Sequence, residues 1–261
     1  MNAYHQLQAT YARRKDLLAN HTNIIRDDED LLPTSKRAEL NQQALHNEMS
    51  LVLIDLHYSR FIFMSSHLKH CLPTVTTRID VQDNWDDIYK LVHPDDRNFY
   101  CESDCKGYNC MMNVPPHLRH LFEMNYVLRL KEINGSYGAY LFRIYVWKTD
   151  EQNCPRILAG ECRQLPFCKV DDFTPHLSCC ILTEDKRQAS VFLETTKHKK
   201  LLQSLIDTLQ YHNKNSKIKE TAQITHKGYQ TLRNDCSHIY RWLNVLNMAD
   251  ACQMARLLRY I

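Results

Sequence analysis

The sequence predicts an α+β chain in two halves: an antiparallel five-stranded sheet with short helices, then an all-α domain of four helices. Three observations carry this. Between residues 50 and 166, β-branched and aromatic residues gather in runs bounded by turn signals. From Thr196 to the end, apolar residues recur at helical spacing. Ahead of both, residues 3–20 hold neither Gly nor Pro and have helical composition.

Taken in order, residues 3–20 predict a helix and "RDDEDLLPTSK" a turn or linker. "TSKRAELNQQALHNE" predicts a second helix, with Thr34 or Ser35 as cap and Glu39 in range for a capping box. "SLVLIDL" and "RFIFMS" predict two strands separated by "HYS". "DNWDDIYKLVHPDDR" predicts a helix as far as Val92, stopped at His93-Pro94 because a residue before proline avoids the helical region. Pro115 and Pro116 sit near the first turn of the next helix. "MNYVLRLKEI", "SYGAYLFRIYVWKT" and "RILAGECRQLP" predict a meander, with tight turns at Asn134-Gly135-Ser136 and "DEQNCP". "LSCCILTEDKRQASVFL" reads either as a further hairpin or as a connection. The four C-terminal helices are expected over "TTKHKKLLQSLIDTLQYH", "SKIKETAQI", "TLRNDCSHIYRWLNV" and "NMADACQMARLLRYI".

The formal net charge of +3 is unevenly shared. Residues 195–261 hold 11 Lys+Arg against 4 Asp+Glu, about +7, leaving about −4 for the rest. A basic C-terminal half on a mildly acidic body points to a polyanionic partner. No stretch approaches the ~20 apolar residues of a membrane span, and the N-terminus lacks an apolar signal core, so a cytoplasmic protein without a membrane partner is expected. The 11 cysteines then read as thiols. "CESDCKGYNC" spaces Cys101, Cys105 and Cys110 as C-x3-C-x4-C, which matches no standard zinc or iron–sulfur pattern, and reads as thiols in a loop. With only 5 Gly there is no P-loop and no dinucleotide fingerprint, nor is there a nucleophile elbow. No enzyme is expected, no catalytic or metal-ligating residue is singled out, and no cofactor can be named.

The stretch 231–245 carries the functional signal. Leu232, Cys236, Ile239 and Leu243 form one apolar stripe. Gln230, Arg233, Asn234, Ser237, His238 and Arg241 fall opposite it, and these side chains suit base edges and phosphates. Arg233 can fork to guanine and Asn234 can pair with adenine. Lys217, Lys219 and Lys227 are candidate phosphate clamps.

Two resemblances organise these readings. The order of strands and helices in 50–166, with "VHPDDR" followed by "PPHLRHLFEMNYVLRLKEINGSY", resembles a PAS sensor domain; Asp95 or Asp96 is the expected cap after Pro94. The last 67 residues resemble the LuxR-type helix-turn-helix. Lys219-Glu220-Thr221-Ala222 stands where that family has KEIA, Thr231-Leu232-Arg233 where it has TVK, and Ala249-Asp250-Ala251 where it has AEA. Together they imply a bacterial, Bacteroidetes-like one-component regulator: an N-terminal helical segment (1–46), a PAS-like sensor (47–182) and a LuxR-type DNA-binding domain (190–261). They further imply double-stranded DNA as partner, a small-molecule ligand for the sensor, and a homodimer formed through the last helix at Met248, Cys252 and Ala255. The chain departs from the family at Asp235, where the family has His, and at Trp242, where it has Lys. Asp235 either opposes phosphates or pairs with Lys199 or Arg233, and Trp242 is free to pack. These departures keep a second class open, a non-DNA-binding adaptor retaining only the fold.

Overall fold

A computed structural model of the chain describes residues 5, 9, 32–56, 60–66, 88–182, 189–192, 199–215 and 218–261. The expected helix over 3–20, Lys217 and the "HYS" connection lie outside the described residues, apart from positions 5 and 9.

Helix α1 (Thr34–His46) leads into strands β1 (Ser50–Asp55) and β2 (Arg60–Met64). A 3-10 turn (Pro94–Asp96) opens helix α2 (Arg97–Asn113), and a second (Pro116–Leu121) leads to β3 (Phe122–Lys131), β4 (Tyr137–Thr149) and β5 (Pro155–Gln164). Strands β6 (His176–Leu182) and β7 (Ala189–Phe192) follow, so the region read either as hairpin or as connection is a hairpin. The sheet is antiparallel and seven-stranded, ordered β2-β1-β5-β4-β3-β6-β7, rather than five-stranded as expected. Of the two added strands, β6 pairs along β3 from Phe122↔Ile181 to Val127↔His176, and β7 pairs along β6 from Cys179↔Phe192 to Leu182↔Ala189. Four helices close the chain: α3 (Lys199–Asn215), α4 (Ile218–Ile224), α5 (Tyr229–Trp242) and α6 (Met248–Leu257).

Both faces of the sheet are covered, which is why nine of the ten β3 residues are buried instead of alternating. The front face presents Ile54, Tyr126, Leu128 and Phe142 to Tyr100, Cys101 and Met111 of α2. The back face is divided. Leu51, Leu53 and Ile157 pack on Leu40 and Ala44 of α1. Val127, Ala139, Leu141 and Leu165 pack in one cluster with Leu205 and Leu209 of α3, Ile239 of α5 and Leu258 after α6.

Three local expectations change. The segment "CESDCKGYNC" is not a loop but the body of α2. Its helix lies so close to β3 that a Cβ on Gly107 would collide with the Met124 side chain, and this contact stabilises a helix with no clean apolar stripe. Thr34 and Ser35 do not cap α1; Pro33 occupies that position, and Glu39 pairs with Lys36 at 2.8 Å. Asp96 makes no side-chain cap bond. Its buried carboxylate instead accepts from Arg129 Nε (3.0 Å), Nη2 (2.7 Å) and the Arg129 backbone N–H (2.9 Å), tying the turn before α2 to β3.

Candidate nucleic-acid interface and its anchoring

Helix α5 has the two-faced pattern its sequence dictates. Leu232, Cys236, Ile239 and, just past its end, Leu243 are buried. Gln230, Arg233, Asn234, Ser237, His238 and Arg241 are all exposed along the other side. Short bonds order that face: Ser237 Oγ donates to the Arg233 carbonyl at 3.1 Å, Arg241 Nη2 donates to His238 Nδ1 at 3.1 Å, and Gln230 Nε2 donates to Asn234 Oδ1 at 3.4 Å. The turn before α5 is tight. His226 takes the left-handed conformation (φ 53°) and Lys227 N–H reaches back to the Ala222 carbonyl, a helix stop followed at once by a new start at Gly228. Tyr229, the first residue of α5, is exposed beside this face and lies outside the apolar stripe.

The lysines separate. Lys219 is exposed. Lys227 is half-buried and committed inside the module: its Nζ donates to Asp235 Oδ2 (2.6 Å), Ser204 Oγ (2.9 Å) and Thr208 Oγ1 (3.2 Å). Asp235 therefore pairs with Lys227, and its charge is compensated within the fold; the Lys199 side chain lies outside the described residues. Residues eight apart meet only because the turn folds α5 against α3, so helical spacing could not reveal the pair.

Met248, Cys252 and Ala255 are buried within the chain, in the cluster shared by the four-helix module and the sheet. The stripe expected at a subunit contact is consumed by intramolecular packing, the competing use of the same apolar residues.

Trp242 belongs to the anchor. Its ring stacks on Tyr260 (centroids 5.2 Å apart, 22°) and meets His176 of β6 edge-on at 5.7 Å. Asn244, left-handed (φ 56°) at the stop of α5, donates to the Thr174 carbonyl (2.7 Å) and accepts from Thr174 N–H (3.0 Å), while its own carbonyl accepts from Lys169 N–H (2.7 Å). Ser178 Oγ donates to the Leu258 carbonyl at 2.7 Å. Arg259 grips Glu123 of β3 with both nitrogens, Nε–Oε1 at 2.9 Å and Nη2–Oε2 at 3.2 Å.

Glu123 heads a network across the back of the sheet. Asn125 Nδ2 donates to it at 2.8 Å and Arg143 Nε lies 3.4 Å away; Arg143 Nη1 then reaches Glu161 Oε2 at 3.4 Å, and Tyr145 OH donates to Glu161 Oε1 at 3.2 Å. Burial alone would raise the Glu123 carboxyl, but the Arg259 and Asn125 hydrogen bonds and the Arg143 charge outweigh it and hold it below the usual range. Burial pushes His176 down to about 4, so its imidazole is neutral under Trp242 at ordinary pH. Burial, with Asp104 and Cys105 nearby, pushes the Cys101 thiol up to about 12, so it stays protonated. Among the described residues, no group of His, Cys, Asp or Glu side chains is placed to hold a metal ion, and no helix is long and apolar enough to cross a membrane.

Behind that network, on the front of the sheet, lies an open apolar cavity, about 580 Å³ of empty space with the open solvent at it included. Tyr126, Phe142, Ile144, Gly160, Cys162 and Tyr100 are in its wall, together with Ser50. The buried Ser50 hydroxyl has no hydrogen-bond partner among the described residues.

No protein-family model and no curated protein matches the sequence. Solved structures with similarity to the chain include the Vibrio cholerae VqmA dimer in the absence of target DNA (11% identity, 85% of this chain and 88% of that one, TM-score 0.32). Others are the Rhodobacter sphaeroides LOV protein (12%, 85% and 96%, TM-score 0.33) and the N-terminal domain of a Marinobacter aquaeolei diguanylate cyclase with a PAS/PAC sensor (14%, 44% and 94%, TM-score 0.35). At such low identities and TM-scores, what this chain binds has to come from its own residues.

Proposed function

We propose that the chain is a cytoplasmic one-component transcription regulator, not an enzyme. A LuxR-type helix-turn-helix over 190–261 binds double-stranded DNA, and a PAS-like sensor over 47–182 modulates it. The observation that carries this reading is the α5 surface: six hydrogen-bonding side chains stand exposed on one side while the opposite side is buried. The second helix of such a pair enters the major groove. Arg233 and Asn234 then meet bases, with Gln230, Ser237, His238, Arg241 and Lys219 around them, and Tyr229 adds an aromatic contact at the leading end. The Lys227–Asp235 pair removes the main objection, because Asp235 no longer presents an uncompensated charge to phosphates. Lys227 acts as a brace, not a clamp. The apolar lining of the cavity, with the Ser50 hydroxyl in its wall, makes it the place for the sensor's ligand. Two copies of the chain on a two-fold related site complete the reading.

Genomic DNA fragments incubated with the purified protein at several salt concentrations test it. A recovered short two-fold site, lost as salt rises and lost in the double substitution Arg233→Ala, Asn234→Ala, is the expected result. No enrichment even at low salt, with the protein folded, would move the function to the adaptor class, and retention unchanged by the double substitution would move the DNA contact away from Arg233 and Asn234.

A further inference from the structure

The cavity and the grip on the DNA-binding module are the two faces of the same two strands. On β4 and β5, Phe142 pairs with Cys162 and Ile144 with Gly160, and all four line the cavity. Arg143 and Glu161 form the cross-strand pair between them. Successive side chains of a strand point to opposite faces, so this pair stands on the back, flanked on both strands by cavity-wall residues. From Arg143 the contacts run to Glu123 and from Glu123 to Arg259, just past α6.

We propose that the Arg143–Glu161 pair transmits the state of the cavity to the Glu123–Arg259 grip, so that filling the cavity loosens the four-helix module's hold on the sheet. This rests on the reading of the cavity as the sensor site. The physical cause is geometric. An occupant pressing on Phe142, Ile144, Gly160 and Cys162 cannot move either strand without moving Arg143 against Glu161. The guanidinium of Arg143 reaches Glu161 through Nη1 at 3.4 Å and, through Nε, lies 3.4 Å from Glu123 while donating to Asn125 Oδ1 at 3.2 Å, itself bonded to Glu123, so a shift on one side redistributes its bonding on the other. Glu123 is buried, where a change in hydrogen bonding counts for more than at the surface. Glu161 is a positioning residue here: it acts on Arg259 through Arg143 and Glu123.

Coupling between two sites is reciprocal, so it can be driven from either end, and amide hydrogen exchange of the full chain reads both without DNA. From the cavity end, Cys162→Phe places a ring in the cavity. It is expected to speed exchange at residues 258–261 by about 5-fold or more, a typical coupling factor, and to do so by less than about 2-fold when Glu161→Gln is also present. From the other end, Arg259→Gln removes the guanidinium that grips Glu123 and leaves an amide donor in its place. It is expected to speed exchange at 142–144 and 160–162 while β1 and β2 stay as in the unsubstituted chain, and to add nothing once Glu161→Gln is present. A purely structural Glu161 would give additive effects in both cycles. Additivity, or unchanged exchange at 142–144 and 160–162 in Arg259→Gln, overturns the proposal. The Arg259 arm decides alone if Cys162→Phe fails to fold. Loss of DNA retention, measured separately, would overturn the regulator reading and leave this coupling standing.

Discussion

The front of the seven-stranded sheet and its back solve the same problem with different materials. The front buries Tyr126, Leu128, Leu130 and Phe142 against the chain's own local helix in a cluster of apolar side chains. The back also buries leucines and valines, but threads them with Glu123, Asn125, Arg143 and Glu161 and fastens two separate elements, α1 and the four-helix module. An apolar layer is stable but indifferent to exact placement. A layer containing bidentate and buried charge contacts fixes where each partner sits, because a misplaced partner leaves a buried charge without compensation. The front holds a domain together; the back sets a position.

The largest effect is expected where the two sides are joined. Arg129 is a back-face residue whose guanidinium is held by Asp96 from the turn that enters α2. Asp96→Ala would strand that guanidinium, and removing one partner of a buried pair costs about 3–5 kcal/mol. Denaturant unfolding checks this; a loss below 1 kcal/mol would mean that Asp95, 3.7 Å from Arg129 Nη2, takes over the contact.

A matched pair of truncations then separates the faces. Leu128→Ala on the front and Leu141→Ala on the back each remove a fully enclosed leucine, worth about 2–5 kcal/mol. Leu128→Ala should lower the whole transition, with far-UV CD and tryptophan fluorescence moving together. Leu141→Ala should split the probes, because Trp242 reports release of the module while the sheet persists. Coincident probes in Leu141→Ala would show one inseparable unit.

Acid should act on the back face first. His176 is neutral when folded, with its pKa brought from 6.5 to about 4. Between those values the unfolded or released state takes up a proton that the folded state refuses, so stability falls as pH drops from about 6.5 to about 4. Below that both states are protonated and the loss is complete. The shift corresponds to about 3 kcal/mol. Glu123, held below the usual carboxylate range, acts in the same direction at lower pH: its stabilising contribution is present above the ordinary value and is lost as pH falls through the depressed one. His176→Phe should flatten the upper part of this profile, read by Trp242 fluorescence, and an unchanged profile would move the acid sensitivity elsewhere.

Much of the architecture was written in local patterns. The stripe Leu232-Cys236-Ile239-Leu243 predicted the buried side of α5, and the meander strands lie where runs of β-branched and aromatic residues bounded by turn residues placed them. What local pattern could not carry is anything set by a tertiary partner. α2 has no apolar stripe of its own and is fixed by Gly107 against Met124. Asp235 finds Lys227 only through the turn, and Asp96 finds Arg129 across 33 residues of chain. The stripe Met248-Cys252-Ala255 was visible, but a stripe says that a face is buried and not against what. Asn244 had one readable sign, an asparagine at a helix stop, where the left-handed conformation is tolerated; its bonds to Thr174 had none.

The smallest stability effect is expected on the exposed side of α5, and its smallness is the point. Arg233 and Asn234 are exposed, so Arg233→Ala should change unfolding by no more than about 0.5 kcal/mol. If the α5 face reads DNA, the same substitution should weaken specific binding by about 1–3 kcal/mol, the worth of one bidentate base contact. A side chain that is nearly silent in folding and loud in binding is placed for a partner. A side chain silent in both would be an ordinary solvated helix surface, and the contrast between positioning back face and reading helix would lose its second half.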